Sequence, residues 1–417
     1  MITSEKTVRR TKVMFLAWGE SIHARRRIRL FADDPSFDIA VVSTFNYKFD
    51  NAKNYLLDDA KTKQFIALLI SYFFLFLKLI TFKNTLTLLF EDFWKIRKDL
   101  KILKNAYSEF QPDIIFLQTL LYPCYLAYAL PKKTPVIITF WNGDVTWWAK
   151  WNGLDRLIKK KIVVYGVKRA AAMTVNSQTA FEACLAYGVP PEKIHLIRYP
   201  GVDLERFRPG SKEDARRQLE IHSRKVVLCP RGIAEYLNTD IIIEAAALFI
   251  KINPDIVFLF ISGVGGNTEW QRLLKKAAEL GVADHLRRDG QVPWEKMPLY
   301  YQAADAVVSM SSNDSLPNCM LEAMACGTPL VMGDIKQIRE WIEDGINGLL
   351  VPPRDSEALS RSLLRFLGED NILTEQFSRY NLELVASEFD GRKNSLFAKK
   401  LVKNIAAKHT SIINDVP

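Results

Sequence analysis

Short runs of branched apolar residues recur along this chain at spacings that leave room for a helix between them, and this pattern restricts the fold more than any other feature. In the first half the runs fall at 13–17, 39–43, 114–117 and 136–140, with a helix-like segment at 28–32. In the second half they fall at 226–229, 257–261, 306–310 and 330–332, with helix-like segments at 239–251 and 269–280. Strands that read as continuous apolar runs are buried on both faces, as in parallel sheets covered by helices. A doubly wound α/β fold is expected. At 417 residues the chain exceeds one ordinary domain, so two Rossmann-like domains, each with its own core, are expected. The boundary falls in 198–209, RYPGVDLERFRP, where Pro200, Gly201 and Pro209 punctuate the chain.

Composition narrows the function. Hydrophobic residues make up 48% and charged residues 25%, proportions of a soluble globular protein rather than a disordered or membrane-spanning one. The five cysteines are scattered among apolar neighbours, as small core residues of a reducing compartment are. No C-x-x-C and no H-E-x-x-H supports a zinc or redox site. The apolar run at 13–17 is short and is interrupted by Gly19 and Glu20, so it reads as a first strand and not as a secretion signal. A net charge of +10 calls for an anionic partner. Without a recognisable nucleic-acid motif, membrane and phosphate rank above nucleic acid.

The most membrane-like stretch is 65–90, which opens FIALLISYFFLFL and is broken by Lys78. A spanning helix needs roughly 18 or more unbroken apolar residues, so this one does not cross a bilayer. Two placements stay open: a helix in the membrane interface with Lys61, Lys63, Lys78 and Lys83 on lipid phosphates, or a core helix of the first domain.

The residues that carry chemistry concentrate at 303–353. A short strand at 306–310 passes through the polar loop Ser311 to Pro317, with Ser315 and Leu316, into a helix at Asn318–Ala325 closed by Gly327. Backbone N–H groups and the positive end of the helix dipole make such a turn an anion trap, suited to a diphosphate. Asp314 and Glu322 flank it, and paired acceptor oxygens suit the neighbouring hydroxyls of a ribose or hexose. Arg231 follows the strand at 226–229 at its C-terminal end, where open α/β sheets place ligands and where a guanidinium can grip a diphosphate. Gly263 and Gly265 end the strand at 257–261 in a weaker G-x-G-G signal, which a plain βα turn also explains.

The segment resembles the E-x7-E motif of retaining GT-B glycosyltransferases, in particular the large family 4 of polysaccharide, lipopolysaccharide and glycolipid biosynthesis. The matching residues are Pro317, the run Glu322, Ala323, Met324, Ala325, Gly327 and Pro329, and the later echo Asp344, Gly345, Asn347, Gly348, Leu350 and Val351. The linker 198–209 is similar to the family's interdomain linker. Departures are also visible. The first acid is Asp314 rather than Glu, the Lys of the family's R-x5-K pair has no counterpart after Arg231, and the N-terminal glycine-rich loop retains only Gly19. Asn142, Gly143 and Asp144 resemble the acceptor loop, with Trp141 in place of its His. His23 reads either as a substrate contact or as a solvent-facing residue. Trp141, Trp147, Trp148 and Trp151 read either as a sugar- or membrane-facing cluster or as packing.

The resemblance implies two Rossmann-like domains with the donor site in the cleft between them: 1–203 on the acceptor side, 204–385 binding the nucleotide sugar, and a C-terminal part, 386–417, with a helix read over 381–406 that returns to the first domain by fold analogy. It implies transfer of a sugar from a nucleoside diphosphate to a hydroxyl of a glycan or lipid-linked acceptor with retained configuration. Asp314, Arg231 and Asp144 then have catalytic roles. Glu322 holds the ribose, Asp314 also holds sugar hydroxyls, Ser315, Leu316, Pro317 and Asn318 line the phosphates or sugar, and Gly263, Gly265 and Gly19 line the donor cleft. No D-x-D triplet occurs, so neither metal nor cofactor is expected. The setting implied is cytoplasmic, peripheral on the inner membrane face if 65–90 is interfacial. The departures keep two alternatives open: a silent nucleotide-sugar-binding or scaffolding homologue, and a GT-B-fold sugar-nucleotide epimerase.

Overall fold

The computed structural model describes residues 9–17, 22–44, 47–57, 85–120, 123–140, 153–198, 200–223, 225–261, 266–314, 316–367 and 372–414, with backbone alone at 22–23, 85–96, 153–159, 372 and 410–414. The chain divides into two compact units, 1–200 with 395–417, and 201–394. The first runs β1 (Thr11–Ala17), α1 (Ile22–Ala32), β2 (Phe37–Ser43), β3 (Lys53–Leu56), α2 (Thr85–Phe110), β4 (Ile114–Leu117), β5 (Val136–Thr139), α3 (Gly153–Arg169), β6 (Ala170–Val175), α4 (Gln178–Ala186) and β7 (Ile194–Leu196). The second runs α5 (Lys212–Gln218), β8 (Lys225–Cys229), α6 (Thr239–Phe249), β9 (Ile256–Ile261), α7 (Asn267–Glu279), β10 (Leu286–Asp289), α8 (Met297–Ala303), β11 (Ala306–Ser309), α9 (Asn318–Ala325), β12 (Leu330–Gly333), β13 (Leu349–Val351), α10 (Ser356–Leu367) and α11 (Ile372–Glu388). A final helix, α12 (Gly391–Asn414), lies mostly within the residues of the first unit.

Both sheets are parallel, ordered β3-β2-β1-β4-β5-β6-β7 and β10-β9-β8-β11-β12-β13. Side chains two residues apart share a sheet face, and the cores obey that period. Met14 and Leu16 enter one core of the first unit, while Val13, Phe15 and Ala17 enter the other. In the second unit Val227 and Cys229 face one core, Val226 and Leu228 the other. Burial on both faces is why these strands read as unbroken apolar runs. All five cysteines are buried within these cores.

The C-terminal region departs from a single helix over 381–406. Helix α11 stops at Glu388, and α12 starts at Gly391 with the Asp390 carboxylate accepting from the Arg392 amide at 2.8 Å. The linker causes the break. Val202 donates to Phe389 O and accepts from Gly391 N, each at 2.9 Å. Gly201 has φ +73, and a Cβ there would sit 2.4 Å from Phe389 O, so only glycine lets the two backbones approach. Of the membrane-like stretch 65–90, residues 65–84 lie outside the described residues, and 85–90 begin the backbone of α2. Among the described residues no helix is long and apolar enough to cross a membrane.

Candidate functional site

The second sheet reverses its build direction between β8 and β11, because the chain runs outward through β9 and β10 before returning to place β11 on the other side of β8. Loops leaving the carboxyl ends of such neighbours diverge and open a crevice, the usual ligand position in open α/β sheets. Arg231 lies just past β8, and Asp314 lies in the loop between β11 and α9.

The structure brings these two side chains into direct contact. Arg231 Nη1 donates to Asp314 Oδ2, and the side chains are 23% and 14% exposed. Burial is the largest influence and acts against the guanidinium's charge, yet the charge and hydrogen bond of Asp314, together with Cys319 and Tyr236, outweigh it and hold the Arg231 pKa above its ordinary value. Separate contacts to diphosphate and sugar were expected for them. The pair is instead self-neutralised, and a ligand must exchange for one partner or bridge both. Cys319, in the first turn of α9, is buried against this pair, and burial pushes its thiol up to about 11 despite the nearby Arg231. Burial there disfavours the thiolate, the form that acts as a nucleophile.

Helix α9 starts after Pro317 with no side-chain cap. Its end has the expected form, with Gly327 at φ +71 in the left-handed region where glycine carries no Cβ penalty. Glu322, one turn inside, is only 6% exposed. Its Oε2 accepts from Tyr301 Oη at 2.9 Å, and its Oε1 from Trp294 Nε1 at 3.4 Å. Burial, then the Glu322 charge, holds the Tyr301 hydroxyl well above its usual pKa. Paired acceptor oxygens for ribose hydroxyls were expected here. The structure engages both oxygens, one through a short bond and one through a bond at the outer limit of useful length.

A second set of contacts ties the two loops together. Asn238 precedes α6 in the left-handed region (φ 49, ψ 44) and is 2% exposed. Its Nδ2 donates to Met310 O at 2.7 Å and to Ser312 Oγ at 2.6 Å, while its Oδ1 accepts from Arg354 Nη1 at 3.1 Å. Ser312 N donates to Tyr236 O at 2.9 Å. The strand exit that carries Arg231 is thus laced to the loop that carries Asp314. Where the family pattern expects a Lys, Leu237 is buried and this polar network begins beside it.

Other expected residues resolve differently. Leu316 is half-buried, Pro317 is buried and Asn318 is half-buried, all at the mouth of α9. Ser315, Gly263, Gly265, Gly19, Asp144, Trp141, Trp147, Trp148 and Trp151 lie outside the described residues, as does the side chain of His23. The later motif serves the fold. Asn347 and Asn381, each 1% exposed, exchange hydrogen bonds, and Asp344 Oδ1 accepts from Leu350 N at 2.8 Å to hold β13. Among the described residues no group of three or more His, Cys, Asp or Glu side chains converges as metal ligands do. Tyr301, Trp294 and Arg354 were not anticipated, because their sequence neighbourhoods resemble ordinary helix and loop.

Comparison with known proteins bears on the fold and the family. The family described as Glycosyl transferases group 1 matches residues 211–383, and Glycosyltransferase Family 4 matches residues 73–206. A D-inositol 3-phosphate glycosyltransferase of Thermobispora bispora is 32% identical over 225 residues, covering 52% of this chain and 52% of that protein. The chain thus spans about half the length of the curated relatives it matches. Among solved structures, sucrose-phosphate synthase from Thermosynechococcus elongatus is similar at TM-score 0.75 and 18% identity, covering 96% of this chain and 100% of that one. The Anabaena HepE protein in complex with UDP-glucose is similar at TM-score 0.70 and 16% identity, covering 96% and 99%. At these identities the two structures establish the shared fold.

Proposed function

The chain belongs to the family 4-like glycosyltransferases of the GT-B architecture, and on that premise we propose that it moves a sugar from a nucleoside diphosphate to a hydroxyl of a glycan or lipid-linked acceptor, with the anomeric configuration retained. The Arg231–Asp314 pair at the sheet's switch point carries this reading. A diphosphate arriving there competes with Asp314 for Arg231, and its remaining oxygens meet the amides at the start of α9. The displaced Asp314 turns to the sugar hydroxyls, so donor binding itself frees the carboxylate. Glu322 keeps its bond to Tyr301 and exchanges the long Trp294 contact for a ribose hydroxyl.

As the sugar–phosphate bond lengthens, negative charge accumulates on the leaving diphosphate. Arg231 and the helix start stabilise it without reorganisation. The sugar passes through an oxocarbenium-like state, the acceptor enters on the face the diphosphate leaves, and a leaving phosphate oxygen takes the acceptor proton. Positive charge from the protein stands in for a cation, so a chelator is expected to leave turnover unchanged. We place the protein on the cytoplasmic side, where nucleotide sugars are made. HepE, solved with UDP-glucose, makes UDP-sugars the first donors to test.

The test measures UDP release from a panel of UDP-sugars with and without glycan and lipid-linked acceptors, and the anomeric configuration of the product by NMR. Acceptor-dependent release with retention supports the reading. Binding without release in any combination favours a silent homologue, and acceptor-free interconversion of the donor sugar favours an epimerase.

A further inference from the structure

Helix α12 carries Arg392, Lys393, Lys399, Lys400, Lys403 and Lys408 and not one Asp or Glu between Gly391 and Asn414. Its inner face is satisfied. Ser395, Ala398, Val402 and Ala406 are buried, and Ala398, Val402 and Ala406 join the core that holds Phe15 and Phe31. Lys399 reaches Asp34 at 2.9 Å, and Lys403 lies 5.0 Å from the centre of the Phe37 ring.

The outer face is different. Leu396 is 67% exposed and Phe397 70%, more than any other large apolar side chain among the described residues. Scattered single apolar residues on a surface need no explanation, but adjacent large ones on a uniformly basic helix do. At about 100° per residue, Lys393 and Lys400 project between Leu396 and Phe397, one turn to either side. The result is an apolar pair flanked by Lys393, which reaches Ala386 O at 3.1 Å and Asp390 at 4.0 Å, and by Lys400, with exposed Lys408 further along the same side.

We infer that this face of α12 docks on an anionic lipid surface, with Leu396 and Phe397 entering the acyl boundary and the lysines meeting lipid phosphates. The division of labour fits the side chains: lysine stems lie along apolar surface while their ammonium groups stay at headgroup level. Two other occupants fit less well. A second copy of the chain sets lysine against lysine across a two-fold contact, over an apolar area far below that of a stable dimer. A nucleic acid satisfies the lysines and leaves Leu396 and Phe397 in water. The inference stands apart from the catalytic reading, since the face contains none of the residues assigned to the donor.

The experiment uses the full chain and vesicles of phosphatidylcholine with or without phosphatidylglycerol. Wild type is expected to bind the anionic vesicles only, and binding is expected to weaken at least about threefold between 0.1 and 0.5 M salt. Leu396→Ser with Phe397→Ser is expected to lower partitioning about thirtyfold while thermal melting is unchanged, because both side chains are already in water. Lys400→Glu, which disturbs no core residue, is expected to weaken binding on its own. Phe397→Cys labelled with a polarity-sensitive dye is expected to shift its emission to the blue on anionic vesicles. The same label at Ile252→Cys, a 61% exposed site elsewhere, is expected to give no shift. The proposal is overturned if wild type ignores anionic vesicles, or if the double variant binds them as wild type does. Equal shifts at 397 and 252, or a double-stranded DNA affinity that falls as far as vesicle binding in the double variant, also overturn it.

Discussion

Asn238→Ala probes the lacing of the two site loops. The substitution removes an amide that donates to Met310 O and Ser312 Oγ and accepts from Arg354. Ser312 and Arg354 are exposed and regain partners from water, so they contribute little to the cost. Met310 is fully buried, and a carbonyl orphaned there costs about 1–3 kcal/mol. Position 238 is left-handed, a conformation Asn tolerates and Ala does not, which adds about 1–2 kcal/mol. The expected loss is about 2–5 kcal/mol of stability, read as the shift in urea midpoint followed by circular dichroism and tryptophan fluorescence. Asn238→Gly accepts the backbone conformation but loses the same bonds, so its loss is expected to be smaller than that of Ala. UDP affinity, measured calorimetrically, is expected to fall in both, because the loop bearing Asp314 loses its tie to the strand exit bearing Arg231. A loss below about 0.5 kcal/mol for Ala, with UDP affinity unchanged, refutes the argument that this network holds the site.

Arg231→Ala is expected to lower turnover by two orders of magnitude or more, about 3 kcal/mol of transition-state stabilisation; steady-state UDP release checks it, and a change within a few-fold removes Arg231 from the chemistry. Glu322→Gln keeps the shape of α9 but weakens the acceptor, so UDP affinity is expected to drop by about 1.5–3 kcal/mol, while Tyr301→Phe is expected to lower stability with a smaller effect on affinity. Burial acts to raise the Asp34 pKa, but hydrogen bonds from Ser36 and Lys399 outweigh it and hold it at about 2. A depressed carboxylate contributes stability that is present above its unfolded value of 3.8 and is lost as pH falls toward 2. Asp34→Asn is therefore expected to cost about 1–2 kcal/mol at pH 7 and to flatten the acid side of the stability profile between those limits.

The sequence exposed the central strands because both of their faces are buried: β4 at Ile114–Leu117 coincides with the run read from its apolar content, and helix α9 at Asn318–Ala325 with the helix read between Pro317 and Gly327. The edges were hidden. Strand β3 (KNYL) is mostly exposed and β10 (LRRD) half-exposed, so neither carries an apolar run. Strand β6, inside the sheet, is AAAMTV, whose alanines carry no strand preference. The break between α11 and α12 was hidden for another reason, since it depends on pairing with Val202, a contact across most of the second unit's sequence. Of the candidate site, the positions of Arg231, Asp314 and Glu322 were readable from the strand end and from the resembling motif. Their partners were not, because hydrogen bonds between Glu322 and Tyr301 or between Asn238 and Met310 join segments that only the sheet order brings together.

The most direct measurement is a crystal structure of the full chain with UDP bound, refined beside the ligand-free protein. The account predicts the diphosphate against Arg231 and the start of α9, the Arg231–Asp314 contact opened, and the ribose on Glu322 with the Trp294 bond exchanged and the Tyr301 bond kept. Nucleotide density elsewhere on the sheet edge, with the Arg231–Asp314 pair intact, contradicts it.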